Sequence, residues 1–292
     1  MRSESPQYLL KVRLLGAVVG LALAVGSSAQ DVLDTTAVPF LKDQGQANYT
    51  KFLSLEEDRA FAIASSGAHG WSAKASSIWN AILKAVFQCN QSAKAPCYAY
   101  AVNRRVIYNQ YTAFAQESVE ALKTVQRPPR DSYSSESDRS SIPEQAGLRT
   151  DARGYHALTP NRVPGATTIM TGQLVERMLS GTHPILIDVL GGDGHNTLPD
   201  AHWFISAGVE RGVGGNTDIE NRLEPLLRAI ASDKSTPLVF FCLSYECWLS
   251  YNAVLRAVHI GYTNVLWYRG GTESWKGANL PMVRAVVTGV LW

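Results

Sequence analysis

Hydrophobic and polar positions along this chain follow two regimes separated by a polar stretch. Up to about residue 126 the pattern is mixed. Positions 59–64 alternate, with Phe61 and Ile63 on one side, and predict a strand running into a glycine turn at Gly67-Ala-His-Gly70. Residues 76–89 place Ile78, Trp79, Ile82, Leu83, Val86 and Phe87 at helical spacing. Tyr98, Tyr100 and Val102 then alternate along a further strand, and Asn103-Arg-Arg105 predicts a turn. Together these make a small α+β unit over residues 30–126. It shows no catalytic constellation, and His69 reads as a turn histidine rather than a ligand.

Residues 127–153 have no apolar period. They open on Arg-Pro-Pro-Arg and continue through a serine-rich run at 132–141, which predicts a flexible, solvated linker.

From 154 to 292 short apolar runs alternate with helical patterns. A helix over 171–179 is expected, capped by Thr171 and carrying Leu174, Met178 and Leu179. Residues 184–190 (Pro-Ile-Leu-Ile-Asp-Val-Leu) form a continuous apolar run, the mark of a strand buried on both faces of a parallel sheet. Residues 199–205 predict another strand, and 219–232 a helix with Leu223, Leu226, Leu227 and Ile230 inward. Residues 237–241 predict a strand, and 248–260 a helix stopping at Gly261. A last strand follows at 265–268, before Gly270-Gly-Thr-Glu-Ser-Trp275. Strands alternating with helices predict a three-layer α/β domain with a largely parallel sheet, preceded by the small α+β unit.

The first thirty residues stand apart. Arg2, Lys11 and Arg13 precede an apolar run from 14 to 25 and the small residues Ser27 and Ala29. This predicts a signal peptide over 1–29, cleaved after Ala29, because the run is short of the ~20 residues that span a membrane. The mature protein is then exported, to a bacterial periplasm, with no membrane contact after cleavage. At 292 residues, 46% hydrophobic and 18% charged, the chain has material for two cores. A net charge of +2 without blocks of like charge points away from a nucleic-acid partner.

Export changes what the four cysteines mean, since an oxidising compartment permits disulfides. Cys89 and Cys97 bracket a polar loop between a helix and a strand, and predict a structural disulfide. Cys242 and Cys247 lie in Phe241-Cys-Leu-Ser-Tyr-Glu-Cys-Trp248, a tight turn between a buried strand and a helix. Such a turn aims amide N–H groups and the positive helix end at the first sulfur, stabilising a thiolate or persulfide. The second sulfur is either a resolving thiol or the partner in a disulfide that clamps the loop. Cα atoms within ~4.4–6.8 Å would let the bond close.

These residues resemble the rhodanese-like superfamily. Ile187-Asp-Val189, the 199–205 segment, the strand ending in Cys242, Gly261-Tyr-Thr-Asn-Val265 and Gly270-Gly-Thr-Glu-Ser-Trp275 follow that family's order, from about Thr171 to Pro281. Within it, Cys242 and the run from Cys247-Trp248 to Ala253 look like the exported CXXCW-motif proteins associated with PQQ-dependent catabolism. The resemblance implies that Cys242 carries sulfur as a persulfide, taken from a donor and passed to an acceptor thiol, with Leu243, Ser244, Tyr245, Glu246 and Trp248 as the loop around it. The chain departs from the family's loop in three ways: no Arg or Lys, no Gly, and an acidic Glu246. Repulsion by Glu246 disfavours an anionic donor such as thiosulfate. Cys247 points instead to dithiol/disulfide chemistry, in which it resolves a persulfide on Cys242 or exchanges with partner thiols.

The expected partners are a small sulfur donor or a partner-protein thiol, together with a periplasmic quinoprotein dehydrogenase system. The competing expectation is a catalytically inactive accessory protein of that system, with Tyr245 and Trp248 forming an aromatic rim. Asp188 ends a parallel strand and could orient the loop or a substrate, although a structural acid is the preferred reading. His195 and His202 flank Asp200 without metal-ligand spacing, so no metal is assigned. Gly191-Gly-Asp-Gly194 and Gly212-Val-Gly-Gly215 lack phosphate-loop spacing, and no cofactor is assigned.

Overall fold

The computed structural model describes residues 32–128, 136, 142–151, 154–181, 183–210 and 216–291. The leader expected over 1–29 lies outside these residues. Among the described residues no helix is long and apolar enough to cross a membrane.

The N-terminal unit contains α1 (Asp43–Leu53), β1 (Ala60–Ala64), β2 (His69–Ser72), α2 (Ile78–Asn90), β3 (Cys97–Val102), β4 (Arg105–Val106) and α3 (Asn109–Lys123). Its four strands form an antiparallel sheet in the order β2-β1-β3-β4. β1 (Ala-Phe-Ala-Ile-Ala) is buried throughout, and its alternation divides the work between its two faces. Phe61 and Ile63 meet Tyr49, Phe52 and Tyr100 on one face. Ala60, Ala62 and Ala64 meet α2 on the other. Small residues there, and Gly70 in β2, let α2 lie close to the sheet. A Cβ on Gly70 would stand 2.4 Å from the Cys89 amide nitrogen. Ser77 caps α2 by accepting from the Asn80 amide at 3.1 Å.

The C-terminal domain contains β5 (Thr167–Ile169), α4 (Thr171–Leu179), β6 (Ile185–Asp188), β7 (Asn196–Thr197), β8 (His202–Ile205) and α5 (Asn216–Ile230). It continues through β9 (Leu238–Phe241), α6 (Trp248–His259), β10 (Val265–Tyr268), α7 (Gly271–Gly277), β11 (Val283–Arg284) and β12 (Val287–Val290). Six strands pair in the order β12-β8-β6-β9-β10-β5, all in parallel. α5 and α6 bury Leu223, Leu227, Tyr251 and Val254 against one face, with Phe240 and Trp267. α4 and α7 bury Leu174 and Trp275 against the other, with Phe241 and Tyr268. The three-layer α/β expectation holds, as does the small α+β unit before it.

The two units share a core. α2 lies between its own sheet and the edge of the large one, so Ala81, Ala85 and Cys89 pack in one cluster with Trp203, Ile205, Val287 and Val290. Asn90, at the end of α2, treats β12 as a neighbouring strand would. Its Nδ2 donates to the Thr288 carbonyl at 3.3 Å, and its Oδ1 accepts from the Val290 amide at 3.2 Å.

Several elements differ from the sequence expectation. Thr171 is the first residue of α4, not its cap, and its amide and hydroxyl donate to the buried Glu136 carboxylate. The strand expected from 199 begins at His202, because Asp200 takes a left-handed turn with φ 63°. Segment 127–153, expected to be a free tether, docks on the C-terminal domain at its described positions. Gln145 exchanges two hydrogen bonds with the Tyr251 hydroxyl, at 2.9 and 2.7 Å. Arg149 pairs through its backbone with the Asn252 amide group at 2.9 and 3.0 Å. These partners are side chains some hundred residues away, so a polar composition alone gave no sign of them.

Candidate functional site: the disulfide loop after β9

β9 reads Leu-Val-Phe-Phe because it is a central strand buried on both faces. Its carboxyl end delivers Cys242, and Cys247 is the N-cap of α6. The two sulfurs are bonded, with Cα atoms 6.1 Å apart, inside the range that permits closure. Cys242 is 1% exposed and Cys247 3%. The second pair, Cys89 and Cys97, is also bonded, with Cα atoms 6.2 Å apart, and closes the loop between α2 and β3.

The loop is gripped from two sides. On one side Gly271 takes a positive φ of 61°, and a Cβ there would stand 2.4 Å from the Cys242 carbonyl oxygen. That close approach lets the Thr272 amide donate to Cys242 O at 3.0 Å and the Glu273 amide to Leu243 O at 2.9 Å. On the other side a strap, residues 155–159, runs antiparallel to residues 245–248. The Trp248 amide donates to Tyr155 O at 3.0 Å, Ala157 to Glu246 O at 3.0 Å, and Thr159 to Tyr245 O at 3.2 Å. His156 and Cys247 form a β-bridge. The strap is pinned at Tyr155, whose hydroxyl accepts from the Glu210 amide, and at Thr159. Arg269, 4% exposed, donates to the Thr159 hydroxyl at 3.1 Å and carbonyl at 2.8 Å, and its guanidinium lies 5.4 Å from the centre of the Tyr245 ring.

This arrangement alters the expected chemistry. The loop amides were expected to curl around an ionised sulfur. Instead Glu246 N donates to the Ser244 hydroxyl at 3.3 Å, Cys247 N to Ser244 O at 3.0 Å, and Trp248 N to the strap. Cys242 is a disulfide sulfur, which carries no proton to lose. Ser244 is therefore a loop brace, Leu243 is held through its carbonyl, and Tyr245 is half-buried under Arg269. Glu246 faces solvent. Trp248 does not form an exposed rim: it is fully buried, donates from its indole to Leu158 O at 3.1 Å, and lies 4.8 Å from the Arg149 guanidinium.

Asp188 sits one strand away, level with Phe241, and is fully buried. Its carboxylate accepts from Leu190 N at 2.8 Å, His195 Nε2 at 2.6 Å and Thr197 Oγ1 at 2.5 Å. It therefore organises the loop after β6 and touches none of the cysteine loop's hydrogen bonds. His195 is tied to Asp188, whereas burial pushes the His202 imidazole down to about 4. No group of three or more potential metal ligands comes together among the described residues.

Arg269, Thr159 and the strap were invisible to sequence reading. The cation absent from the loop itself arrives from the end of β10, and the strap comes from some ninety residues upstream. Only the tertiary fold brings them together.

Four residues separate the two cysteines, two more than the CXXCW spacing that the segment otherwise resembles. A family model described as "Rhodanese-like domain" matches residues 150–278, which include the strap, both loop cysteines and Arg269. Similar solved structures include a polysulfide-sulfur transferase homodimer from Wolinella succinogenes, 17% identical over 40% of this chain and 78% of that one, with a TM-score of 0.30. Another is an anaerobic ergothioneine biosynthesis enzyme from Chlorobium limicola in complex with trimethyl histidine. It is 18% identical over 45% of this chain and 34% of that one, with a TM-score of 0.33. The match thus spans about a third of that enzyme's length. None of the curated proteins matches the chain.

Proposed function

We propose that this is an exported rhodanese-like protein performing thiol–disulfide exchange at Cys242 and Cys247, with sulfur transfer open to its reduced form. The supporting observation is the bond between the two sulfurs across the turn from β9 to α6. In exchange, a partner thiolate attacks one sulfur, the S–S bond breaks, and the other cysteine leaves as a thiolate. A second partner thiol then attacks the partner sulfur of the mixed disulfide, and the protein cysteine leaves as a thiolate. The partner pair is oxidised to a disulfide, and Cys242 and Cys247 take up its two electrons. In the reduced form, a persulfide on Cys242 attacked by Cys247 releases hydrosulfide and restores the bond. Both routes require the strap to part from the loop, because the sulfurs are covered.

That same burial supports a second reading, a disulfide that clamps the loop of a catalytically inactive binding protein. Export and service to a periplasmic quinoprotein oxidation system rest on the leader pattern at 1–29 and the resemblance of the segment after Cys247.

Two measurements separate the readings. Native protein is equilibrated with thiol/disulfide buffers, and maleimide labelling is followed by mass. Reduction of Cys242–Cys247 in the folded protein supports exchange, whereas reduction only on unfolding leaves the clamp. Cys247→Ala is then exposed to polysulfide or to a peptide disulfide, each of which supplies an S–S bond for the Cys242 thiolate to break. A persulfide or mixed disulfide on Cys242 is expected, and a bare thiol would remove Cys247 from a resolving role.

A further inference from the structure

Between α3 and the edge of the parallel sheet lie two adjoining cavities of about 290 and 620 Å³, sharing Tyr111, Phe114, Arg284 and Val286 in their walls. Cavities at domain junctions with a few convergent polar groups are where small ligands are usually held.

The smaller cavity presents three kinds of chemistry. One wall is aromatic: the Tyr111 ring is centred 5.3 Å from Tyr98 and 6.2 Å from Phe114. The opposite wall carries Thr288, only 4% exposed, whose hydroxyl finds no hydrogen-bond partner among the described residues. A buried hydroxyl without a partner costs stability, on the order of 1–3 kcal/mol, unless something else satisfies it. Finally, Asp200 and Arg284 bring one charge of each sign, and no ion pair or side-chain hydrogen bond among the described residues engages either. Asp200 stands on a left-handed backbone at φ 63°, a conformation that costs energy and is common at functional sites. Neither the cysteine loop nor its strap contributes to this cavity.

We propose that this interdomain cavity binds a small aromatic zwitterion of the amino-acid type. Its ring lies along Tyr111 and Phe114, its ammonium group pairs with Asp200 and its carboxylate with Arg284. The Thr288 hydroxyl supplies a donor or acceptor to the bound molecule. A purely cationic aromatic would leave Arg284 unpaired, and an anionic one would leave Asp200 facing like charge.

The test uses fluorine NMR line broadening on the full folded chain with three probes: 4-fluorophenylalanine, 4-fluorophenethylamine, which lacks the carboxylate, and 3-(4-fluorophenyl)propionate, which lacks the ammonium. Saturable binding of the first, at least tenfold tighter than either truncated probe, is expected. Asp200→Asn tolerates the left-handed backbone and should abolish the preference over the propionate. Arg284→Gln should abolish the preference over the amine. Near-ultraviolet circular dichroism confirms that both variants fold. No saturable binding, equal binding of the three probes, tighter binding of a truncated probe, or preferences unchanged in folded variants would each overturn the proposal.

Discussion

Thr159 links the strap to both of its anchors, because its hydroxyl donates to Tyr245 O and accepts from Arg269 Nε. Thr159→Val keeps the shape and removes both bonds. A loss of about 1–2 kcal/mol in urea unfolding is expected, since the Tyr245 carbonyl and the Arg269 Nε–H lose a partner. More tellingly, Cys242–Cys247 in the folded variant should be reduced faster by dithiothreitol, followed by maleimide labelling. An unchanged rate would show that the strap does not limit access to the sulfurs. Asp188 gives the opposite profile. Asp188→Asn leaves a carboxamide among three donors, and about 2–3 kcal/mol of stability should be lost. Labelling of the reduced cysteines should be unchanged, because Asp188 serves the β6 loop rather than the cysteine loop. Faster or slower labelling would instead place it in the site.

At the scale of elements, the grip on the cysteine loop depends on how closely the β10–α7 turn approaches it. Gly271→Ala adds a Cβ 2.4 Å from Cys242 O on a backbone with φ 61°, so the loop or the turn must move. Destabilisation of more than 1 kcal/mol is expected, together with loss of protection of the Thr272 and Glu273 amides in hydrogen exchange. The disulfide between α2 and β3 is simpler. It closes a loop of sequence separation 8, and Cys89→Ser with Cys97→Ser should cost about 2–3 kcal/mol through the freed unfolded chain.

Elements were legible wherever the local pattern matched the local fold. The apolar runs at β6 and β9 declared buried parallel strands, and the helical spacing of α2 and α6 declared their inward faces. The short strands β5, β7, β11 and β12 were not legible. Two to four residues carry too little periodicity, and their pairing partners lie far away in sequence. β12 is the clearest case, because it is a strand only by virtue of β8 and the side chain of Asn90.

At the scale of the whole molecule, the junction between the units responds to pH through His202. Burial holds its imidazole at about 4 in the folded protein, against 6.5 in the unfolded chain. Between those values only the unfolded chain binds the proton. The contribution is therefore fully present above pH 6.5 and falls as pH drops toward 4. About 2 kcal/mol should be lost between pH 7 and 5. Burial raises the Asp200 and Glu136 carboxyls, so these take up protons more readily when folded and offset part of the loss at the acid end. Urea midpoints at pH 7 and 5 should differ in the wild type and differ much less in His202→Gln. Equal shifts would assign the acid sensitivity to other groups.

The chain's order of apolar runs, turns and cysteines already determined a parallel α/β domain with a sulfur pair where a strand passes into a helix, and a stapled α+β unit before it. These features are written in residues near one another, where periodicity and turn chemistry act directly. Only the tertiary structure decided that the pair is bonded and covered, that Arg269 and Thr159 hold the cover, and that the units share one core along α2. Those outcomes depend on contacts between residues as much as two hundred positions apart, and a contact at that range leaves no periodicity in the chain to announce it.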